Sequence, residues 1–255
     1  MTSDSGVLQW SFGQRYAAAR SRLSGAQKST AAVPAYLRYV NRRLGGYLAC
    51  VAYGLGFTAT QVSALSFLCS VAALAVLVIA PATVPVGIIV AVGLALGYAL
   101  DSADGQLARV RGGGTRAGEW LDHVLDIAKL CLVHTSVAVT LFRHFELRHF
   151  ALLLVPMTFL LAQVVGFFGK MLRDQLRARS GAPAEPPSTH TSALSALILL
   201  PVDHGTMCWI FVLLGWHALF VTAYVLLALV SVAFAARGVA RDYRNLSEID
   251  AATAG

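Results

Sequence analysis

The chain has 255 residues, of which 57% are hydrophobic and only 13% are charged, and its formal net charge is +7. A soluble domain carries about 25% charged residues, so this composition excludes an ordinary soluble enzyme and indicates an integral membrane protein. Membrane topology and attraction to anionic membrane lipid account for the positive charge, and we expect no nucleic-acid partner.

The first segment of the chain, residues 1–33, is polar and cationic, and we interpret it as a cytoplasmic tail. Residues 34–56 follow, with apolar residues at helical spacing and Arg residues on other faces. This pattern is typical of an amphipathic helix that lies at the membrane surface beside the first span. An extension of the first span is the alternative interpretation.

Six apolar stretches are each long enough to cross a bilayer, which requires about 20 residues. They lie at residues 61–80, 84–107, 120–142, 150–171, 191–214 and 218–239. We therefore predict an all-α integral membrane protein, in which six transmembrane helices form one domain over residues 57–242. A Pro-rich segment at 181–189 is the clearest linker, and residues 243–255 form a C-terminal tail.

The distribution of Lys and Arg predicts the orientation, because short cytoplasmic loops are enriched in these residues. With six spans and both termini on one side, only Arg143 and Arg148 of the loop cations fall on the opposite side. We therefore expect both termini to face the cytoplasm from the cell membrane. The loop between the second and third spans is expected on the same side.

Charge is concentrated in the stretch YALDSADGQLARVRGGGTRAGEWLDHVLDIAK, residues 98–129. At about 100° per residue, Asp101 and Asp104 share one face of the second predicted span, and Asp122 and Asp126 share one face of the next helix. Gly93 and Gly97 precede Asp101 on the same stripe at intervals of four residues, so this stripe is expected to face protein.

Four carboxylates this close together would repel one another and require a compensating positive charge. Lys129 and Arg109 could supply part of it, and a purely structural network of ion pairs is one interpretation. Hard divalent cations such as Mg²⁺ or Mn²⁺ fit the oxygen ligands better. Two such ions close together are a recurring device for phosphoryl transfer.

The same stretch carries a family resemblance. The pattern Asp101-x2-Asp104-Gly105-x2-Ala108-Arg109-x8-Gly118-x3-Asp122-x3-Asp126 resembles, at every defined position, the signature of the CDP-alcohol phosphotransferase (CDP-alcohol phosphatidyltransferase) family. The resemblance implies a membrane transferase of phospholipid biosynthesis with a cytoplasmic active site, expected to be a homodimer. It would move a substituted phosphate, expected to be phosphatidyl, from a CDP-linked lipid such as CDP-diacylglycerol to an alcohol or phosphorylated alcohol and release CMP.

The resemblance also implies residue roles. Two Mg²⁺ or Mn²⁺ ions would be held by Asp101, Asp104, Asp122 and Asp126, and Asp126 would also be the general base. The CDP-alcohol would be bound by Gly105, Ala108, Arg109, Thr115 and Gly118. Of these, Gly105 and Ala108 leave room for the cytidine and Arg109 holds the pyrophosphate.

Weaker signals lie outside this pattern. Relatives often begin the first span with a Thr-Pro-Asn-x-x-Thr-like stretch, and the corresponding region here contains the candidate donor-binding residues Thr60, Gln61, Val62 and Ser63. A possible acceptor pocket consists of Lys170, Arg173, Asp203 and His204, although membrane topology and a helix break at Pro201 also explain these residues. His123 is expected to face away from its aspartate neighbours.

Two other functions compete with this one. A UbiA-like intramembrane prenyltransferase also uses aspartates and Mg²⁺ on a diphosphate, but we would expect more spans and Asn-Asp-rich motifs. A divalent-cation transporter would need carboxylates along a path across the bilayer, whereas the four aspartates here lie at one end of the spans.

Overall fold

The computed structural model describes residues 10–25, 33–146, 149–181 and 199–253. Within these ranges the chain is helical and contains no strand, which confirms the predicted all-α class. The α-helices of these ranges are α1 Phe12–Gly25, α2 Arg42–Leu55, α3 Ala59–Ile79, α4 Val84–Val110, α5 Arg116–His144, α6 Leu154–Arg179, α7 His204–Trp209 and α8 His217–Thr253.

Five of the described helical segments are long and apolar enough to cross a membrane. They are Ala59–Ile79, Val84–Val110, Arg116–His144, Phe150–Arg179 and His217–Ala251. Four of them contain a predicted span completely and Ala59–Ile79 contains all but the last residue of the span at 61–80, so five of the six predictions are confirmed. The fourth segment combines α6 with the 3₁₀ turn Phe150–Leu153 that precedes it.

The predicted span at 191–214 has a different outcome. Residues 191–198 lie outside the described residues, as does nearly all of the predicted linker at 181–189. The described remainder contains the 3₁₀ turn Leu200–Val202, the six-residue helix α7 and the 3₁₀ turn Ile210–Leu213. The helix is interrupted at Asp203, whose backbone is extended and whose side chain accepts the Gly205 N–H as a helix cap. The total of six spans therefore stays a prediction.

The segment predicted as an amphipathic helix is helical. A π-helical turn, Leu37–Asn41, continues into α2, which ends at Gly56 with φ of 85°. Small residues of α2 face α4; a Cβ atom on Gly45 would lie 2.7 Å from Ser102 Oγ. The larger apolar side chains are exposed on the other side, namely Val40, Leu44, Tyr47, Val51 and Leu55. The helix thus exposes an apolar face. That the helix lies at the membrane surface stays a prediction.

The region predicted as an N-terminal tail contains a helix among its described residues. Helix α1 occupies residues 12–25, and its Ala19 and Leu23 are buried in a cluster with residues of α2 and α4. Arg22 also donates a hydrogen bond to the Tyr53 hydroxyl of α2 at 3.3 Å. The described part of the region 1–33 thus includes a helix that packs on α2 and α4, and the assignment of the region as a cytoplasmic tail stays a prediction.

Close packing of α3 and α4 positions the charged end of α4. A Cβ atom on Gly97 would lie 2.3 Å from Ser70 Oγ, and one on Gly93 would lie 2.8 Å from the Ala73 Cβ. Ser66 Oγ donates to the Gly97 carbonyl at 2.8 Å. These contacts confirm that the stripe of small residues on α4 faces protein. Because α5 also packs on α3, the two aspartate-bearing helices are held against a common partner.

Candidate active site

The loop between α4 and α5 returns the chain so that the two pairs of aspartates meet. Gly112 and Gly113 have φ of 99° and 128°, in the left-handed region that favours glycine. Thr115 then caps α5, with its hydroxyl accepting the Gly118 N–H at 3.0 Å. The predicted donor-binding residues Thr115 and Gly118 are therefore partners in a helix cap.

The four aspartates of the motif form two overlapping groups. Carboxylate oxygens of Asp101, Asp104 and Asp122 all lie within 4.8 Å of one another. Side-chain atoms of Asp122, His123 and Asp126 form a second group by the same measure. Asp122 belongs to both groups and so connects α4 to α5. We call Asp101, Asp104, Asp122 and Asp126 the carboxylate cluster.

Asp104 is the buried member of the cluster, and α3 helps to hold it. Ser63 Oγ donates a hydrogen bond to Asp104 Oδ2 at 2.6 Å. The other carboxylate oxygen, Oδ1, accepts the backbone N–H of Gly105. Both hydrogen bonds stabilise the ionised carboxylate and restrict its orientation.

Lys129 supplies the compensating charge that the sequence indicated. Its ammonium Nζ lies 2.8 Å from Asp126 Oδ1 and also contacts Asp101 Oδ1. Lys129 is three residues beyond Asp126 on α5, so both side chains lie on the same face of the helix. The ion pairs therefore join α4 and α5 on the inner side of the cluster.

His123 does not face away from its neighbours, and this expectation is wrong. A ring nitrogen lies with the Asp122 and Asp126 oxygens in the second group, and the ring packs edge-on against Phe167 of α6, with 5.9 Å between centroids. Adjacent Cα–Cβ bonds do diverge on a helix, but a histidine is long enough to turn back. Nδ1 of His123 is buried without a hydrogen-bond partner among the described residues.

The face of α4 predicted to receive the nucleotide has open space. A Cβ atom on Gly105 would contact Arg109 Nη1 at 3.6 Å, with no other contact within 4 Å in the described structure. Ala108 is half-buried on the same side. Nε of Arg109 is buried and lacks a hydrogen-bond partner among the described residues, so this guanidinium can donate to an anion.

The candidates at the start of α3 differ in their surroundings. Gln61 forms a capping box with Thr58, in which Thr58 Oγ1 accepts the Gln61 N–H at 3.2 Å and Gln61 Oε1 accepts the Thr58 N–H at 2.9 Å. Thr60 is exposed and Val62 is buried in the core. Ser63, by contrast, contacts the cluster through its hydrogen bond to Asp104.

The residues proposed for an acceptor pocket lie in three places. His204 lines a cavity of about 150 Å³ with Asp101, Asp126, Lys129 and Tyr98. Its ring packs edge-on against Tyr98, with 4.9 Å between centroids. This cavity brings His204 beside the cluster.

Asp203 has a structural position instead. It is buried, and its carboxylate accepts backbone N–H groups of Leu37 and Gly205, each at 2.9 Å. These bonds tie the start of α7 to the segment before α2. The Asp203 carboxylate is therefore already used in backbone hydrogen bonds.

Lys170 and Arg173 line a second and larger space, a groove of about 610 Å³ between α6 and α8. Arg173 is buried and forms ion pairs with Asp174 at 2.7 Å and Asp242 at 2.9 Å. Phe167 lines both this groove and the cavity beside His204, so its ring lies between the two spaces.

The donor atoms of the cluster fit a hard divalent cation. Carboxylate oxygens converge from two helices within bonding range of a common ion, and oxygen ligands are those that Mg²⁺ and Mn²⁺ prefer. Nδ1 of His123, which is buried beside the cluster without a hydrogen-bond partner among the described residues, could interact with a bound ion or its ligands. The residues present therefore suit a metal centre.

Comparison with known proteins agrees with this geometry. A family model described as CDP-alcohol phosphatidyltransferase matches residues 57–236, which are 180 of the 255 residues. The matched region contains the four aspartates and all of helices α3 to α7. No curated protein matches the chain.

Proposed function

The chain belongs to the CDP-alcohol phosphatidyltransferase family, and from this premise we propose that it transfers a phosphatidyl group from CDP-diacylglycerol to an alcohol with release of CMP. Family membership supports a membrane transferase of phospholipid synthesis that uses a CDP-alcohol and a divalent metal. The donor CDP-diacylglycerol, the acceptor and the residue roles given below are our proposal. The observation that carries it is the pair of overlapping groups, Asp101, Asp104 and Asp122 in one and Asp122, His123 and Asp126 in the other, which Asp122 joins.

We assign two Mg²⁺ or Mn²⁺ ions to the carboxylate cluster. Bound there, they would offset the negative charge that develops on the diphosphate oxygens as CMP departs. Asp101, Asp104, Asp122 and Asp126 would hold them. Ser63 orients Asp104 for this role through its hydrogen bond.

The nucleotide part of the donor lies on the open face of α4 in this proposal. Gly105 and Ala108 leave the space, and Arg109 donates hydrogen bonds to the diphosphate. The cap formed by Thr115 and Gly118 borders the same region at the start of α5. Thr60 and Gln61, at the exposed start of α3, stay weaker candidates for a contact with the donor.

Asp126 is our candidate for the general base. Its carboxylate lines the 150 Å³ cavity with Tyr98 and His204, which gives an acceptor hydroxyl a place within reach. The hydroxyl proton passes to the Asp126 carboxylate while the hydroxyl oxygen bonds to the phosphorus that carries the diacylglycerol. The bond from that phosphorus to the CMP oxygen breaks, and CMP leaves.

The groove at Lys170 and Arg173 is a possible path for the acceptor. Phe167 separates it from the cavity that contains Asp126, and Lys170 places a positive charge at its margin. A phosphorylated alcohol would be attracted there. Arg173, which is already ion-paired with Asp174 and Asp242, is a better candidate for shaping the groove than for binding phosphate.

We further propose that the cluster and both termini face the cytoplasm and that the protein is a homodimer. The cytoplasmic orientation follows from the Lys and Arg distribution, and the homodimer follows from family resemblance. The cluster lies near one end of α4 and α5, which fits a substrate that arrives from the aqueous side. The same placement disfavours a cation transporter, and the family match disfavours a prenyltransferase.

Release of CMP tests the proposal directly. Purified protein in vesicles that contain CDP-diacylglycerol should release CMP when Mn²⁺ and a panel of alcohols and phosphorylated alcohols are added. Mass spectrometry of the lipid product then identifies the acceptor. Asp122→Asn should be inactive, whereas Glu119→Gln, an exposed carboxylate on the same helix, should remain active. Absence of CMP release with every CDP-alcohol tested would overturn the proposal.

A further inference from the structure

Lys129 is a buried cation inside a site that we assign to divalent metals. It is 9% exposed, and its ammonium contacts Asp101 and Asp126, two of the four members of the carboxylate cluster. It is not one of the fixed positions of the aspartate motif, which ends at Asp126. Lys129 therefore brings to the cluster a charge that the motif does not specify.

Lys129 is held by ion pairs to two helices and borders a cavity. Its partners come from two helices, and the rest of its surroundings is the cavity with Tyr98, His204 and Phe167. An ammonium buried in such a place is stabilised only while it remains paired with carboxylates. We therefore expect Lys129 to remain paired with these carboxylates when ions bind to the cluster.

The net charge of the cluster and Lys129 limits how many divalent cations the site can hold. If all four carboxylates of the cluster are ionised, they contribute −4 and Lys129 contributes +1, which leaves −3. One divalent cation reduces this to −1, and a second would leave a net positive charge in a partly buried site. A second ion is then favourable only when an anion arrives with it, and the diphosphate of the donor is such an anion.

We propose that Lys129 makes binding of the second divalent cation dependent on the diphosphate of the donor. This inference rests on the proposed function, because it takes the carboxylate cluster as the metal site. Lys129 is then a positioning residue, since it acts through Asp101 and Asp126 rather than on the substrate. The complete metal centre would form only when the donor is in place.

The experiment counts Mn²⁺ bound to purified, metal-stripped full-length protein, using the electron paramagnetic resonance signal of free Mn²⁺. CDP serves as the probe that supplies the diphosphate. We expect the wild-type protein to bind one Mn²⁺ without CDP and two with it. Lys129→Met should bind two without CDP, with affinity for the second ion raised by at least about tenfold, because a like charge within a few ångströms has been removed.

Two controls separate charge from structure. Lys129→Arg keeps the positive charge and should keep the dependence on CDP. Arg143→Gln removes one positive charge from the far end of the same helix and should bind Mn²⁺ as the wild type does. If Lys129→Met does not fold, Lys129→Gln offers a polar substitute for the same measurement.

The outcomes distinguish this inference from the proposed function. Two Mn²⁺ ions bound to the wild-type protein without CDP would overturn the role of Lys129 and leave the metal site intact. The same conclusion follows if Lys129→Met still requires CDP for its second ion. Failure of the wild-type protein to bind any Mn²⁺, with or without CDP, would overturn both.

Discussion

Ser63 of α3 donates a hydrogen bond to Asp104 of α4 at 2.6 Å, and both residues are buried. This contact links the carboxylate cluster to a helix that carries none of its aspartates. A hydroxyl that donates to one carboxylate oxygen restricts the orientation of the carboxylate while each oxygen keeps a further lone pair for another partner. Ser63 thus helps to determine how Asp104 is presented to the cluster.

Ser63→Ala should lower Mn²⁺ affinity and turnover by about 10–100-fold, the range observed when a hydrogen-bond partner of a metal ligand is removed. Calorimetry with Mn²⁺ and a CMP-release assay would measure the two effects. Ser66→Ala is a suitable control, because Ser66 is on the same helix but donates to the Gly97 carbonyl. Equal Mn²⁺ affinity in Ser63→Ala and the wild type would show that Ser63 does not support metal binding.

Substitution of the aspartates tests the requirement for metal. Asp101→Asn, Asp104→Asn and Asp122→Asn should each abolish CMP release while the protein still inserts and folds, because each removes one charge and one ligand from the cluster. Thermal unfolding in detergent would confirm that each variant is folded. Excess chelator should abolish CMP release by the wild-type enzyme. Full turnover in the presence of chelator would contradict the metal assignment.

Gly105 tests the location of the nucleotide. Gly105→Ala should fold normally, because the added methyl meets Arg109 at an ordinary distance of 3.6 Å, yet CDP affinity should fall by about tenfold or more if the cytidine lies there. Gly105→Leu should abolish CDP binding. Calorimetric titration with CDP gives the affinities, and wild-type binding by Gly105→Leu would place the pocket elsewhere.

Gly97 tests the packing that positions α4. Gly97→Ala would place a Cβ atom 2.3 Å from Ser70 Oγ and 3.2 Å from the Ser66 carbonyl oxygen, so α3 and α4 would have to separate. We expect a loss of about 1–3 kcal/mol in stability, as for other overpacked positions, seen as a lower midpoint of thermal unfolding. Gly169→Ala adds the same methyl where no described atom lies within 4 Å, and its midpoint should not fall.

The sequence predicts those parts of the structure that depend on one helix at a time. Hydropathy predicts α3 to α6 and α8, because a membrane span must be apolar over its full length. Helical periodicity places Asp101 with Asp104 and Asp122 with Asp126. The family resemblance then explains why the two pairs should meet, and the family match confirms that resemblance.

Contacts between helices do not follow from the pattern of one helix alone. The partner of Asp104 is 41 residues away in the chain, and no periodicity within α3 points to Ser63. Helix α1 was missed because its buried face includes the small residue Ala19, which leaves no strong apolar pattern. The predicted orientation of His123 is wrong because helical angles describe the direction of the Cα–Cβ bond and not the reach of a long side chain.

The last prediction separates the general base from a metal ligand. If Asp126 accepts the proton of the acceptor hydroxyl, Asp126→Asn should lower turnover by at least the roughly 10²–10⁴-fold typical of losing a general base. The affinity for CDP-diacylglycerol should largely survive, because three other carboxylates remain in the cluster. Steady-state kinetics and a binding titration with the donor would measure the two quantities separately.

Each other outcome for Asp126→Asn has a definite meaning. Loss of donor binding in parallel with turnover would make Asp126 chiefly a metal ligand. Near-normal turnover with retained binding would move the base to another residue of the same cavity. His204 would then be the residue to substitute next, because it lines that cavity with Asp126, whereas Asp203 accepts hydrogen bonds from the Leu37 and Gly205 backbones.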